Sequence, residues 1–258
     1  MHADPALIRS AKPNVSPDEW AMRTDLAAAY RAVALYGWDD LVFTHVSARV
    51  PGPEHHFLIN PYGMTFDEIT ASSLVKIDLD GRKVSASPHD VNPAGFTIHS
   101  AIHAAREDAA CVLHLHTRDG VALSAQAGGL LPISQQATVV LGSLAYHDYE
   151  GIALYMEEQA RMAADLGKTA KAMILRNHGL LALGRTVREA FEVMYYLDCA
   201  CQIQIDACSA GMHNVQIMSE AAARTSTQQF NRPDRPAHHK DWPALLRMLE
   251  RRGVRYAD

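Results

Sequence analysis

Apolar and polar positions change period several times along the chain, and each change marks an element. In "SPDEWAMRTDLAAAYRAVALYG" the apolar residues recur at helical spacing and both ends carry stop signals. Ser16 and Glu19 stand at capping-box distance, Pro17 takes the first helical position and Gly37 suits a left-handed stop, so a helix is expected between them. Three short strand-like runs follow, "FTHVSARV", "HHFLIN" and "SLVKIDLDG", the last closing on an Asp80–Gly81 turn. "PAGFTIHSAIHAAR" returns to the helical period, "AACVLHLH" alternates as a strand does, and "AMILRNHG" with "GLLALG" reads as strand, turn and strand. "GIALYMEEQARMAADLG" and "TVREAFEVMYYLDCACQIQIDACSA" predict two longer helices, the second opened by Thr186 and Glu189 at capping-box distance.

Beyond about residue 220 the pattern dissolves into the polar, proline-bearing "RTSTQQFNRPDRPAHHKDW" before a short amphipathic "WPALLRMLERR". Three segments are therefore expected: an arm over 1–15, a main domain over 16–220, and a tail with a short helix over 221–258 that wraps the body or a neighbouring subunit. No repeat or internal linker divides the middle. Helices interleave with short strands without alternating strictly, which predicts one layered mixed α/β domain rather than a regular doubly wound sheet.

Composition narrows the function classes. The 258 residues are 48% hydrophobic and 21% charged, enough for a sizeable core. A net charge of -5 gives no reason to expect nucleic acid or an acidic membrane as partner. No run approaches the ~18 uninterrupted apolar residues of a membrane span. The first twenty residues lack the basic-then-apolar layout of a secretory signal, so a cytoplasmic location is expected. Of the four cysteines, Cys111 lies in an apolar run, while Cys199, Cys201 and Cys208 share one predicted helix. Cys199 and Cys201 point about 200° apart there and cannot form one metal clamp.

Histidine stands out. The chain carries 14, about twice the usual share. In a strand, residues two apart project to one face, so His114 and His116 of "CVLHLH" would hold their imidazoles side by side. A catalytic divalent metal typically takes three protein ligands and leaves one position open. His178 in "LRNHGLLALG" is a third candidate, at a strand end beside a glycine. Spacing alone leaves two readings: a metal site, or polar residues on a half-buried strand and in an ordinary turn.

A resemblance shifts that balance. "FLINPYGMTFDEITASSLVKIDLDG", "NPAGFTIHSAIHAAR", "CVLHLHT", "GLLPISQQA", "AYHDYEGIA" and "LRNHGLLALG" resemble the class II aldolase/adducin family in family order, over about three-quarters of the chain. The resemblance implies a single three-layer α/β/α domain with a central mixed, largely antiparallel sheet. It implies one divalent ion per chain held by His114, His116 and His178, zinc first, with manganese or iron as alternatives. It implies a small-molecule substrate and a homotetramer with its active site at a subunit boundary.

Departures from the family pattern matter as much. The acid/base glutamate of the sugar-phosphate aldolases falls at Gly95, the serine pair that docks phosphate falls at Pro93 and Ala94, and the phosphate-docking stretch reads "THVS" at 44–47. A family tyrosine that serves as acid corresponds to His147, which becomes the expected general acid/base because imidazole titrates near neutrality. His45 stands at the family's asparagine and is expected in the substrate pocket, with Asn60 and Gly63 of "NPYG" shaping its loop. His99 and His103, one helical turn apart, are expected on a packed helix face. Arg176 and Asn177 leave two readings, orientation of His178 or a purely structural role in the turn.

The leading expectation is a metal-dependent lyase, by retro-aldol cleavage or a related decarboxylation, acting on a small non-phosphorylated oxo- or hydroxy-acid. Two alternatives remain: a non-haem iron oxygenase of aromatic hydroxy-acids, and a non-catalytic adducin-like scaffold.

Overall fold

A computed structural model describes residues 14–151, 156–232 and 240–258. Helix α1 (Pro17–Tyr36) starts and stops where the sequence signals stand: Ser16 Oγ accepts from the Glu19 amide, and Gly37 takes the left-handed conformation at φ 67°. Strands β1 (His45–Arg49), β2 (Phe57–Ile59) and β3 (Val75–Ile77) form one end of the sheet, and α2 (Pro93–Ala105) leads into β4 (Cys111–Leu115). Two short helices, α3 (Arg118–Ser124) and α4 (Gln135–Leu141), precede β5 (Leu144–His147). Then come α5 (Met156–Leu166), β6 (Ala172–Leu175), β7 (Gly179–Gly184), α6 (Val187–Cys208), α7 (Glu220–Asn231) and α8 (Asp241–Arg251). The expected start of α5 at 152–155, the arm up to residue 13 and both His238 and His239 lie outside the described residues.

Seven strands form one sheet in the order β3-β2-β1-β4-β7-β6-β5. Among the described residues only β5–β6 runs parallel, so the sheet is mixed and largely antiparallel, as expected. Its alternating side chains separate two cores. Cys111, Leu113 and Leu115 of β4 meet α1 and α6, while Val112 meets α2 and α5 on the other face. β7 does the same, with Leu180 and Ala182 against Leu181 and Leu183. Helices on both faces make three layers.

One buried charge cluster pins α1. Arg23 Nε donates to Glu19 Oε1 at 2.9 Å, Lys76 Nζ reaches Glu19 Oε2 at 2.8 Å, and Arg23 Nη1 donates to the carbonyls of Leu74 and Ala71. The guanidinium thereby ties α1 to the chain leading into β3.

The polar stretch after residue 220 differs from expectation. Helix α7 occupies Glu220–Asn231, capped by Ser219, in a tail where the sequence pattern predicts only the later helix at "WPALLRMLERR". Thr227 Oγ1 donates to the Thr138 carbonyl at 2.8 Å, and Ser226 lies 2.6 Å from Thr138 Oγ1. Small hydroxyls that pack closely replace the apolar stripe that periodicity looks for. Further on, Trp242 Nε1 donates to Asp25, and the amides of Ala71 and Ser72 donate to the carbonyls of Tyr256 and Asp258. No helix among the described residues is long and apolar enough to cross a membrane.

Candidate metal centre

Strand alternation sets the direction of the first ring. His114 follows Val112 on the α2/α5 face of β4, and His116 lies two residues on, just past the strand end. β7 pairs with β4, Leu115 opposite Leu180, so the turn before β7 comes to the end of β4. That turn carries His178. Asn177 adopts the left-handed conformation at φ 56°, which asparagine tolerates better than most residues, and the His178 amide donates to the Leu175 carbonyl. At Gly179 a side chain has no room: a Cβ would sit 2.6 Å from the Leu115 carbonyl oxygen.

The three rings converge. Their centroids lie 4.8, 4.8 and 4.9 Å apart, and one nitrogen from each falls within 4.8 Å of the other two. His114 is buried, whereas His116 and His178 are half-buried, which leaves one side of the cluster open.

Hydrogen bonds assign the protons on two of the rings. His114 Nδ1 lies 3.1 Å from the Leu180 carbonyl, which can only accept, so Nδ1 carries the hydrogen. His116 Nδ1 lies 2.9 Å from Asp40 Oδ2 and donates in the same way. In the neutral rings both Nε2 atoms are then bare lone pairs, and they face each other at 3.1 Å. Burial, followed by the neighbouring His178 and His116, holds His114 well below the usual histidine range. Burial pushes His178 down to about 4. Facing lone pairs repel unless a cation lies between them. A tetrahedral site with metal–nitrogen bonds of about 2.0–2.1 Å sets its ligand nitrogens roughly 3.3 Å apart, close to the 3.1 Å between Nε2 of His114 and Nε2 of His116.

His147, at the end of β5, is 4% exposed and is no surface turn residue. Its Nδ1 meets Asp165 Oδ2 at 2.7 Å, and Nε2 points toward the buried Glu158 carboxylate at 3.5 Å. His147, Glu158, Tyr149 and His178 line one small cavity, and the Tyr149 ring centroid stands 6.3 Å from that of His178. His45 pairs directly across from His114 in the β1–β4 register. Asn60 is taken up elsewhere: its Oδ1 lies 2.9 Å from the buried Tyr30 hydroxyl, which also accepts the Asn60 amide. Gly63 turns at φ 95° in the following loop. Arg176 lies over the Tyr146 ring and donates to the Gln126 carbonyl.

His99 and His103 are buried on α2 and share Ser47. His103 Nδ1 donates to the Ala109 carbonyl at 2.7 Å, so in the neutral ring Nε2 accepts from the Ser47 hydroxyl, whose oxygen accepts in turn from His99 Nδ1. Sequence reading missed the carboxylates that orient the site. Glu158 and Asp165 are seven apart on α5, two turns along one face, a usable signal; Asp40 sits in a loop and gives none.

The chain is similar to known proteins along most of its length. Residues 24–205 match the family model for the Class II Aldolase and Adducin N-terminal domain. The chain is 55% identical over 257 residues to a Caulobacter vibrioides protein provisionally named aldolase class 2, covering 99% of this chain and 100% of that one. It is 42% identical over 253 residues to alpha-adducin of Rattus norvegicus, covering 92% of this chain but 34% of adducin. Its fold is similar to that of L-fuculose 1-phosphate aldolase from Glaciozyma antarctica PI12, with a TM-score of 0.82, 29% identity, and 97% and 98% of the two chains covered.

Proposed function

The chain belongs to the class II aldolase and adducin family, and on that premise we propose that it is a divalent-metal-dependent lyase acting on a small, non-phosphorylated oxo- or hydroxy-acid. One observation carries the reading: two imidazole lone pairs, one on a buried and one on a half-buried ring, face each other at 3.1 Å with a third ring beside them, an arrangement that is costly without a cation. His114, His116 and His178 are the ligands, and their neutral donor set fits zinc, with manganese and iron(II) as alternatives. A divalent ion held there supplies Lewis acidity where carbanion charge develops as a carbon–carbon bond breaks.

The chain's own residues do the remainder. Leu180 and Asp40 fix the ring tautomers of His114 and His116. His147, held by Asp165 through Nδ1, presents Nε2 to the cavity it shares with His178, and it moves the proton as the bond breaks. Retro-aldol cleavage takes a proton from the substrate hydroxyl, sends the bonding pair into an enolate and returns a proton to carbon. Decarboxylation starts instead from the substrate's ionised carboxylate: its carbon–carbon bond breaks to release carbon dioxide, no hydroxyl proton is removed, and only the return of a proton to the enolate carbon is shared. His45 lines the pocket beside His114, while Asn60 and Gly63 shape the loop behind it. The absence of serines at 93 and 94 and the "THVS" stretch favour a substrate without phosphate. We place the protein in the cytoplasm as a homotetramer.

The similarity to alpha-adducin favours a second reading, a non-catalytic scaffold. Elemental analysis of protein purified without chelator separates the two. The lyase reading expects about one zinc, manganese or iron per chain, and His114→Ala at under a tenth of that content with no turnover on a panel of 2-oxo and hydroxy acids. Wild-type protein without metal leaves the scaffold; turnover in metal-free protein overturns the lyase.

A further inference from the structure

Position 95 on α2 lacks a side chain, and the space it would fill is taken. A Cβ built on Gly95 falls 2.5 Å from Cγ, Cδ2 and Nε2 of His45. The ring of β1 therefore stands where a residue on the first turn of α2 would project. His45 lies opposite His114, and antiparallel partners share a face, so it stands on the same side of the sheet as that ligand.

His45 is also unsatisfied in an unusual way. It is 4% exposed, and neither Nδ1 nor Nε2 has a hydrogen-bond partner among the described residues. The Thr44 hydroxyl and His99 Nε2 beside it are likewise without hydrogen-bond partners among the described residues. His99, one turn along α2 with its ring centroid 5.8 Å away, spends its Nδ1 proton on Ser47, and Ser47 spends its own on His103. Thr44, immediately before His45, holds φ at 69°, a left-handed conformation that a β-branched residue rarely adopts. Strained backbone ahead of an unpartnered buried ring is the kind of arrangement that functional sites retain.

We propose that His45 replaces the side chain missing at position 95 and presents its N–H to an oxygen of the substrate bound at the histidine triad. This rests on the reading of that triad as the metal and substrate site. A neutral imidazole donating a hydrogen bond stabilises charge on oxygen without becoming charged itself. Burial, with the neighbouring His116 second, holds His45 down at about 3, so the ring is neutral near pH 7. The inference also assigns the division of labour: His45 polarises from the sheet, and the proton is moved by His147 from the other side of His178.

Two measurements test it. The first is a stability cycle in metal-free protein. Gly→Ala inside a helix ordinarily stabilises. With His45 present, Gly95→Ala is expected to lower Tm by several degrees; in a His45→Ala background the same change is expected to raise it. An identical sign in both backgrounds overturns the claim that His45 occupies the place of residue 95. The second is the affinity of zinc-loaded protein for acetohydroxamate, a planar two-oxygen chelator, by calorimetry. His45→Leu fills the volume without a donor and is expected to keep one zinc per chain while binding at least about tenfold more weakly, one lost charge-assisted hydrogen bond. His45→Gln keeps a donor and is expected to stay within about threefold of wild type. Equal affinities for Leu and wild type overturn the donor role, as does loss of zinc in His45→Leu, which would make His45 a ligand. Wild type that takes no zinc ends the lyase reading instead, and the stability cycle still decides where His45 sits.

Discussion

The carboxylate of Asp40 reaches Nδ1 of His116 from a turn in which Leu41 adopts a left-handed conformation and the Phe43 amide donates to the Asp40 carbonyl. Nothing in the local sequence separates this aspartate from its neighbour Asp39, because the contact joins positions 76 residues apart. The same holds for Gly95 and His45: each reads as a departure from the family pattern alone, and only the fold shows one filling the space left by the other. His114 and His116 were legible because strand alternation is a local rule, and His178 because a histidine beside glycine at a strand end is a local pattern. Orienting groups obey no such rule. A carboxylate that accepts from a ligand's second nitrogen fixes the tautomer and raises ligand basicity, so removing it commonly weakens metal affinity about 10–100-fold. Asp40→Asn is expected to fall in that range in a competition titration against a chromophoric chelator, while the half-exposed side chain leaves thermal stability nearly unchanged. Unchanged zinc affinity would mean that Asp40 does not set the tautomer.

Helix α1 was readable at both ends because caps are short-range signals: Ser16, Glu19, Pro17 and Gly37 each act within a turn. The same residues do more than mark a boundary. Glu19 also pairs with Arg23 and Lys76 in the buried interior, so the capping-box residue is the anion of an element-to-element clamp. Removing one partner of a buried pair leaves the other charge uncompensated, at a typical cost of about 3–5 kcal/mol. Glu19→Ala is expected to lose stability in that range by urea unfolding, with Arg23 left facing only the Leu74 and Ala71 carbonyls; a loss under about 1 kcal/mol would show the cluster to be solvated. Other elements escaped sequence reading for physical reasons. α7 has no buried residue and docks through Ser226 and Thr227, so a search for apolar periodicity passes over it. β5 is four residues long and mostly half-buried, and its parallel pairing with β6 depends on an intervening helix rather than on a turn signal. The strand carrying His114, by contrast, is central and buried throughout, and its alternation is unbroken.

At the scale of the molecule the two faces of the sheet differ in kind. The α1/α6 face buries Glu19, Arg23, Asp198 and Gln204 among its apolar residues, whereas the α2/α5 face buries a set of histidines, His45, His99, His103 and His114, together with Ser47. Site polarity is thus built into one layer, and the cost appears as a proton balance. Burial holds His45 and His103 down at about 3, and His99 well below its ordinary value. The unfolded chain binds protons at these positions below about pH 6.5, and the folded chain does not. Stability from this source is therefore complete above pH 6.5 and is lost as pH falls toward about 3, where the folded rings would themselves protonate. Each such histidine contributes a slope of about 1.4 kcal/mol per pH unit. His45 and His103 together would remove about 4 kcal/mol between pH 7 and pH 5, a large share of the roughly 5–15 kcal/mol that a domain possesses. Urea unfolding of metal-free protein at pH 7, 6 and 5 is expected to show that decline. His103→Gln, which keeps a polar group toward Ser47 but cannot titrate, is expected to flatten the slope by about one histidine's worth, whatever it does to stability at pH 7. A slope equal to that of wild type would show that His103 takes up its proton in the folded state, and the tautomer order running from Ala109 through Ser47 to His99 would then be reversed.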